Sequence, residues 1–231
     1  MKRKVDFTRK VRYELMLGRE ATDAIAARPV GFLPAGCLER HGDHLPMGLD
    51  IIKAHRACCV AAQALGGVVF PPHYYSGVHA MTEEQIRHFT GDWGNIYTDA
   101  TAEEHLLDVI RQIRIAGVRA LVLYTGHYAV SQGEMVARIG DRFAAEPDFA
   151  VIPFSELMIL QGDHAGVSET SLLLYLDRPL VDMTRIGEIN YRDHGWSDET
   201  TPEKASAARG EAEMEQILAH LEKEIAKHLP A

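Results

Sequence analysis

Apolar positions fall into two patterns, short unbroken runs and longer stretches at helical spacing. Val30 to Ala35 is an apolar run between Pro29 and Gly36, which suits a strand buried on both faces. Val68 to Phe70, Val118 to Tyr124 and Phe149 to Phe154 read the same way. Tyr13 to Ala27, rich in Ala, Leu, Met and Glu, predicts a helix that stops at Arg28-Pro29. Asp50 to Leu65 predicts a second, with Ile51, Cys58, Ala62 and Leu65 at helical spacing and Gly66-Gly67 at its end. Leu106, Leu107, Ile110 and Ile113 form the apolar face of a third, which Thr101 and Glu104 open as a capping box. Further helices are expected from Ser131 with Glu134, from Ser168 through the leucines at 172–176, and from Thr201-Pro202 with a stripe of Ile217, Leu218, Leu221 and Ile225. Residues 71–100 follow neither pattern and are expected to form a long loop beside the substrate.

Strands alternating with helices predict an α/β sandwich with a mainly parallel sheet covered on both faces. In such folds ligands bind beyond the carboxyl ends of the strands. The segments 36–50, 125–128 and 161–169 each follow a predicted strand, so they should open on one edge and bring their side chains together.

Composition narrows the function. At 231 residues the chain is most simply one domain spanning 1–231. With 24 basic against 33 acidic residues its formal charge is −9, which leaves no footprint for nucleic acid or an anionic membrane. The apolar window from Ala57 to Phe70 is too short to span a bilayer, and no apolar segment follows the basic Lys2-Arg3-Lys4, so a soluble, cytoplasmic protein is expected. Three cysteines, two of them adjacent, do not make a disulfide framework, and all three are expected to pack as small hydrophobes.

The candidate chemistry sits in the first polar segment, Glu39-Arg40-His41-Gly42-Asp43-His44-Leu45-Pro46, with Asp50 just beyond it. Glu39 and His41 are two apart, so in extended backbone both side chains leave the same side of the chain. Carboxylate oxygens mixed with imidazole nitrogens suit zinc, manganese or iron better than calcium. Glu39, His41, Asp50, His127 and Glu169 together are enough to hold two divalent ions, with Asp50 bridging from a helix start. Two such ions can share a water, lower its pKa and polarise a carbonyl. His164 is the expected proton carrier. His79 and Tyr128 are candidates to contact a small-molecule substrate, and His44 is expected to fix the loop. Trp93 and Trp196 are candidates for a pocket wall or for packing.

The run from Glu39 to Pro46, then Asp50, Gly126-His127, His164-Ala165-Gly166 and Glu169-Thr170-Ser171, resembles the creatininase (creatinine amidohydrolase) family over residues 30–182. The resemblance implies a three-layer α/β/α sandwich, a binuclear centre of zinc and/or manganese, hydrolysis of small cyclic amides or related compounds by a metal-bound hydroxide, and often a hexamer. It implies that Glu39, Asp50 and His127 hold one ion and His41 and Asp50 the other, with His164 and Glu169 at the reacting centre. Two positions depart from creatininase proper. A glutamate ligand is replaced by Ala129, for which Glu169 is expected to substitute. A ring-stacking tryptophan is replaced by Leu160, which points to a substrate other than creatinine. The alternatives are a hydrolase opening the carbon ring of a keto-inositol or other cyclic diketone, and a non-catalytic scaffold.

Overall fold

The structure, a computed structural model, describes residues 5–90, 94–187 and 200–229. Trp93 and Trp196 lie outside them. Four strands, β1 (Val30–Ala35), β2 (Val68–Val69), β3 (Ala120–Thr125) and β4 (Ala150–Ser155), form an all-parallel sheet in the order β2-β1-β3-β4. Every residue of β1 and β3 is buried, as an unbroken apolar run requires when helices cover both faces. Register carries all three long strands to a common edge: Ala35 pairs with Thr125 and Thr125 with Ser155.

Side chains alternate across the sheet into two cores. Phe32, Val122 and Tyr124 pack with α2 (Leu49–Leu65), α6 (Val167–Leu176) and α7 (Ala207–His228). Leu33, Leu121 and Leu123 pack with α1 (Gly18–Ala27), α4 (Ala102–Ile115) and α5 (Val130–Phe143) on the other face. This is the three-layer α/β/α sandwich, and Ile217, Leu218, Leu221 and Ile225 are the buried stripe of α7.

The elements arise where periodicity places them, whereas their caps do not. The first predicted helix divides into a 3-10 turn at Tyr13–Leu15 and α1. Thr101 occupies the N-cap position of α4 but makes no side-chain cap, and the carbonyl of Thr98 takes the N–H groups of Thr101 and Ala102. Ser131 donates to the carbonyl of Val78 and leaves Ala129 at the cap position of α5. Ser168 lies inside α6, whose N-terminus is capped instead by Asp163: its oxygens accept from the N–H groups of Gly166, Ser168 and Glu169. Pro202 heads a separate 3-10 turn, and α7 begins later with Ser206 accepting from the N–H of Arg209 at 3.2 Å.

Of residues 71–100, the described parts, 71–90 and 94–100, are more ordered than expected. They contain a helix, α3 (Glu83–Thr90), and they strap the first polar segment. Ser76 bonds both the N–H and the carbonyl of Gly36, and Ile96 donates to the carbonyl of Leu38 at 2.8 Å. The buried amide of Gln132 ties this strap to the end of β3, accepting from Val78 N–H at 2.9 Å and donating to Thr125 Oγ1 at 3.0 Å. Among the described residues no helix is long and apolar enough to cross a membrane.

Candidate metal centre

Three strand ends build the site. The segment after β1 supplies Glu39 and His41, and it runs into α2, whose first turn carries Asp50. β3 delivers His127 one residue after Gly126. A Cβ on Gly126 would stand 2.1 Å from the carbonyl oxygen of Asp50, so only glycine lets this strand end close on the start of α2. The segment after β4 supplies His164, and α6 supplies Glu169 from its first turn.

All five residues predicted to hold metal converge, and all are buried. Asp50 faces two ways: Oδ1 lies 3.1 Å from His41 Nε2, and Oδ2 lies 3.1 Å from His127 Nδ1. Glu39 Oε2 is 3.1 Å from the same His127 nitrogen, and Glu169 Oε2 is 3.7 Å from His41 Nε2. His41 Nδ1 lies 3.0 Å from the backbone carbonyl of Glu39. A carbonyl can only accept, so Nδ1 carries a hydrogen, and Nε2, which faces the carboxylates, is the nitrogen left to ligate a cation once its own proton is lost. That is how an outer partner fixes a ligating histidine. Asp50 Oδ1 has no hydrogen-bond partner of good geometry, as expected of an atom waiting for a cation.

Charge points the same way. Glu39, Asp50, Glu156 and Glu169 are buried in one cluster with a single buried ammonium, Lys53. Isolated buried charge is costly, and the negative excess calls for cations. Without metal, protons play that part. Burial raises the carboxyl of Glu39, but His127, His164 and His41 outweigh it and hold the group at about 2. Burial lowers His41, but Asp50 and Glu169 outweigh it and push it to about 9. His127 is likewise raised and Asp50 lowered, each against the effect of burial. His164 is lowered by burial and then by His41, and burial takes His44 to about 4.

A folded pKa of about 9 against an ordinary 6.5 means that the contribution of His41 to the metal-free fold is complete below pH 6.5 and lost as pH rises through about 9. The lowered groups His44 and His164 act below 6.5, outside this window. Chelator-treated protein should therefore melt at a lower temperature at pH 9 than at pH 6.5, and metal-loaded protein should lose less over the same interval. A scanning-fluorimetry series in which the metal-free midpoint climbs with pH would contradict this.

The remaining predicted residues fall around a cavity of about 290 Å³, at the small end for a ligand site. Glu39, His41, His127, His164 and Glu169 line it, and so do His79, Tyr128 and Ala129. His164 stacks on His41 at 4.4 Å between centroids, and its Nε2 lies 2.9 Å from the carbonyl of Arg40. Nε2 therefore carries the hydrogen and Nδ1 is the basic nitrogen. His79 Nε2 is 3.8 Å from Glu39 Oε1. The hydroxyl of Tyr128 turns away from the cavity to donate to Glu156 and accept from Lys53. His44 is not in the cluster but bonds Thr170 Oγ1 at 3.1 Å, fixing the segment from behind. Leu160 packs on the core, and Gly162 and Leu157 line the cavity near His164.

Four participants escaped the sequence reading. Lys53 Nζ reaches Glu156 Oε2 at 2.7 Å, Glu169 Oε1 at 2.8 Å and Tyr128 Oη at 3.0 Å, which uses all three of its donors. Burial lowers its pKa, but the two carboxylates outweigh burial and keep it charged. One turn after Asp50 on the same helix face, it could have been noticed as a charge among apolar residues. Glu156 directly follows β4, at the edge where ligands bind. Tyr97 donates to Glu39 Oε1 at 2.9 Å, and nothing in the sequence marks it. Cys37 Sγ lies 3.2 Å from Asp50 Oδ2.

Fold and site thus define a parallel α/β/α protein with a candidate metal centre at the carboxyl edge of its sheet. The chain matches the Creatininase family, described as creatinine amidohydrolase, over residues 14–225, and it belongs to that family. It is 31% identical over 175 residues to the creatinine amidohydrolase of Pseudomonas putida, a match that covers 67% of this chain and spans 66% of that relative's length. Among solved structures, a crystal structure of creatinine amidohydrolase superposes with a TM-score of 0.76 at 24% identity, covering 96% of this chain and 99% of the other. A Zn-Zn form of a glutamate-to-glutamine creatininase variant gives 0.72 at 25%, and a manganese creatininase 0.71 at 26%, each covering 96% of this chain and all of theirs.

Proposed function

We propose that the whole chain is one catalytic domain, a metal-dependent amidohydrolase that breaks the C–N bond of a small cyclic amide or a related polar compound. The convergence of Glu39, His41, Asp50, His127 and Glu169 on one buried point beside the cavity carries this reading. Bound divalent ions supply an acidified water and a polarised carbonyl. Asp50 would serve both ions, since its two oxygens face different histidines. Glu39 and His127 complete one site, His41 and Glu169 the other. Glu169 stands in for the carboxylate that Ala129 cannot offer, with Lys53 and the N–H of Ala165 holding it in place.

His164 moves the proton. With Nε2 held by the Arg40 carbonyl, Nδ1 takes a proton from the attacking water and passes it to the leaving nitrogen. His79 and Tyr128 shape the cavity around the substrate. Because Tyr128 commits its hydroxyl to Glu156, it acts there through its ring and backbone. Leu157 and Gly162 offer no flat aromatic support beside His164, which favours a cyclic amide other than creatinine.

Protein purified without chelator should carry close to two divalent ions per chain by plasma mass spectrometry. It should hydrolyse at least one member of a panel of cyclic amides, with creatinine among the poor substrates, and lose that activity to chelator. Failure to take up zinc or manganese would end the metal reading. Turnover confined to keto-cyclitols would move the reaction to a C–C bond.

A further inference from the structure

Cys37 differs from the other buried cysteine of the chain in its surroundings. Cys58 sits among apolar side chains of the core. Cys37, also inaccessible to solvent, has its sulfur 3.2 Å from Asp50 Oδ2 and 4.0 Å from Glu39 Oε2. One donor atom each from Cys37, Glu39, Asp50 and His127 lies within 4.8 Å of those of the other three, and all four residues are buried.

The spacing approaches that of a coordination shell. Tetrahedral zinc with N and O ligands at about 2.0–2.1 Å and sulfur at about 2.3 Å has ligand-to-ligand edges of about 3.3–3.6 Å. Here the sulfur stands 3.2 and 4.0 Å from its two oxygen neighbours, and His127 Nδ1 stands 3.1 Å from both of the same oxygens. The backbone holds the sulfur there: a Cβ on Gly77 would stand 2.2 Å from Cys37 Cβ, so glycine in the strap leaves room for this side chain to face the cluster.

We propose that Cys37 is a metal ligand, completing a four-donor site with Glu39, Asp50 and His127 whose sulfur selects zinc over manganese. The inference rests on the metal-centre reading above. Coordination takes the thiolate, so the thiol proton leaves as the cation enters. A soft sulfur in one site beside the harder donors His41, Asp50 and Glu169 makes the two positions chemically unequal. Manganese, which favours oxygen ligands, is disadvantaged at the first.

X-ray absorption at the zinc edge of the zinc-loaded protein tests this without reference to activity. The wild type should show a sulfur shell at about 2.3 Å in addition to its N/O shell. The shell should vanish in Cys37→Ser, and manganese should then displace zinc more readily. It should persist in the Cys58→Ser/Cys59→Ser variant, where Cys37 is the sole cysteine, and that comparison decides the matter even if Cys37→Ser does not fold. Wild-type protein that binds zinc through an N/O shell alone overturns the role of Cys37 and leaves the proposed hydrolase intact. A sulfur shell that survives Cys37→Ser overturns it too. Wild-type protein that takes up manganese but no zinc overturns the role of Cys37 alone, and protein that takes up neither overturns both.

Discussion

Asp50→Asn is expected to empty the metal centre and to lower kcat/KM by at least about 10³-fold, the equivalent of roughly 4 kcal/mol of transition-state stabilisation. The substitution keeps the shape of the side chain and removes its charge. The carboxylate stands 3.1 Å from both His41 Nε2 and His127 Nδ1, so both proposed sites lose a ligand in one step. Among the described residues no other carboxylate is placed to replace it, because Glu39 faces His127 and Glu169 faces His41. The informative measurement is metal content alongside turnover. Near-complete metal with wild-type rates would remove Asp50 from the centre, and loss of one ion alone would remove its bridging role.

Lys53→Met should destabilise the fold by about 3–5 kcal/mol, the usual cost of taking one partner from a buried ion pair. Lys53 is fully buried, and its loss leaves Glu156 and Glu169 without the ammonium that both contact. The cost is an uncompensated charge rather than a cavity, which makes a second result predictable. Adding Glu156→Gln to Lys53→Met should recover part of the loss, a coupling that mere misfit at position 53 would not produce. Denaturant melts of the metal-free proteins read both effects. In metal-loaded protein the single variant should lower kcat more than it raises KM, since Glu169 loses its anchor while the cavity wall remains. Additive destabilisation in the double variant would refute the charge account.

Elements and site were legible to different degrees. The buried strands, the helical stripes and the common edge on which the polar segments open follow from local periodicity and from the rule for parallel sheets, and the structure reproduces them. Caps were misjudged at Thr101, Ser131 and Ser168, because a capping serine or threonine is only one way to satisfy an end N–H. At α6 the Asp163 carboxylate takes the end N–H groups, and at α4 the Thr98 carbonyl takes that of Ala102.

Residues 71–100 have no clear periodicity, and the order of their described parts comes from contacts with the segment they strap. Ser76, Ile96 and Tyr97 each bond a partner in 36–39, far off in sequence.

By itself the sequence determined an α/β sandwich of the creatininase family and the five side chains that meet at its strand ends, since motif spacing and strand order place them. Only the tertiary structure decided what surrounds them. Lys53 finds Glu169 across 116 positions, and Tyr97 finds Glu39 across 58. Cys37 changes from a packing residue into a neighbour of carboxylates once β1 meets α2. The physical reason is the range of the interactions: hydrophobic periodicity is written into consecutive residues, whereas a buried charge takes whichever partners the folded chain brings within hydrogen-bonding distance.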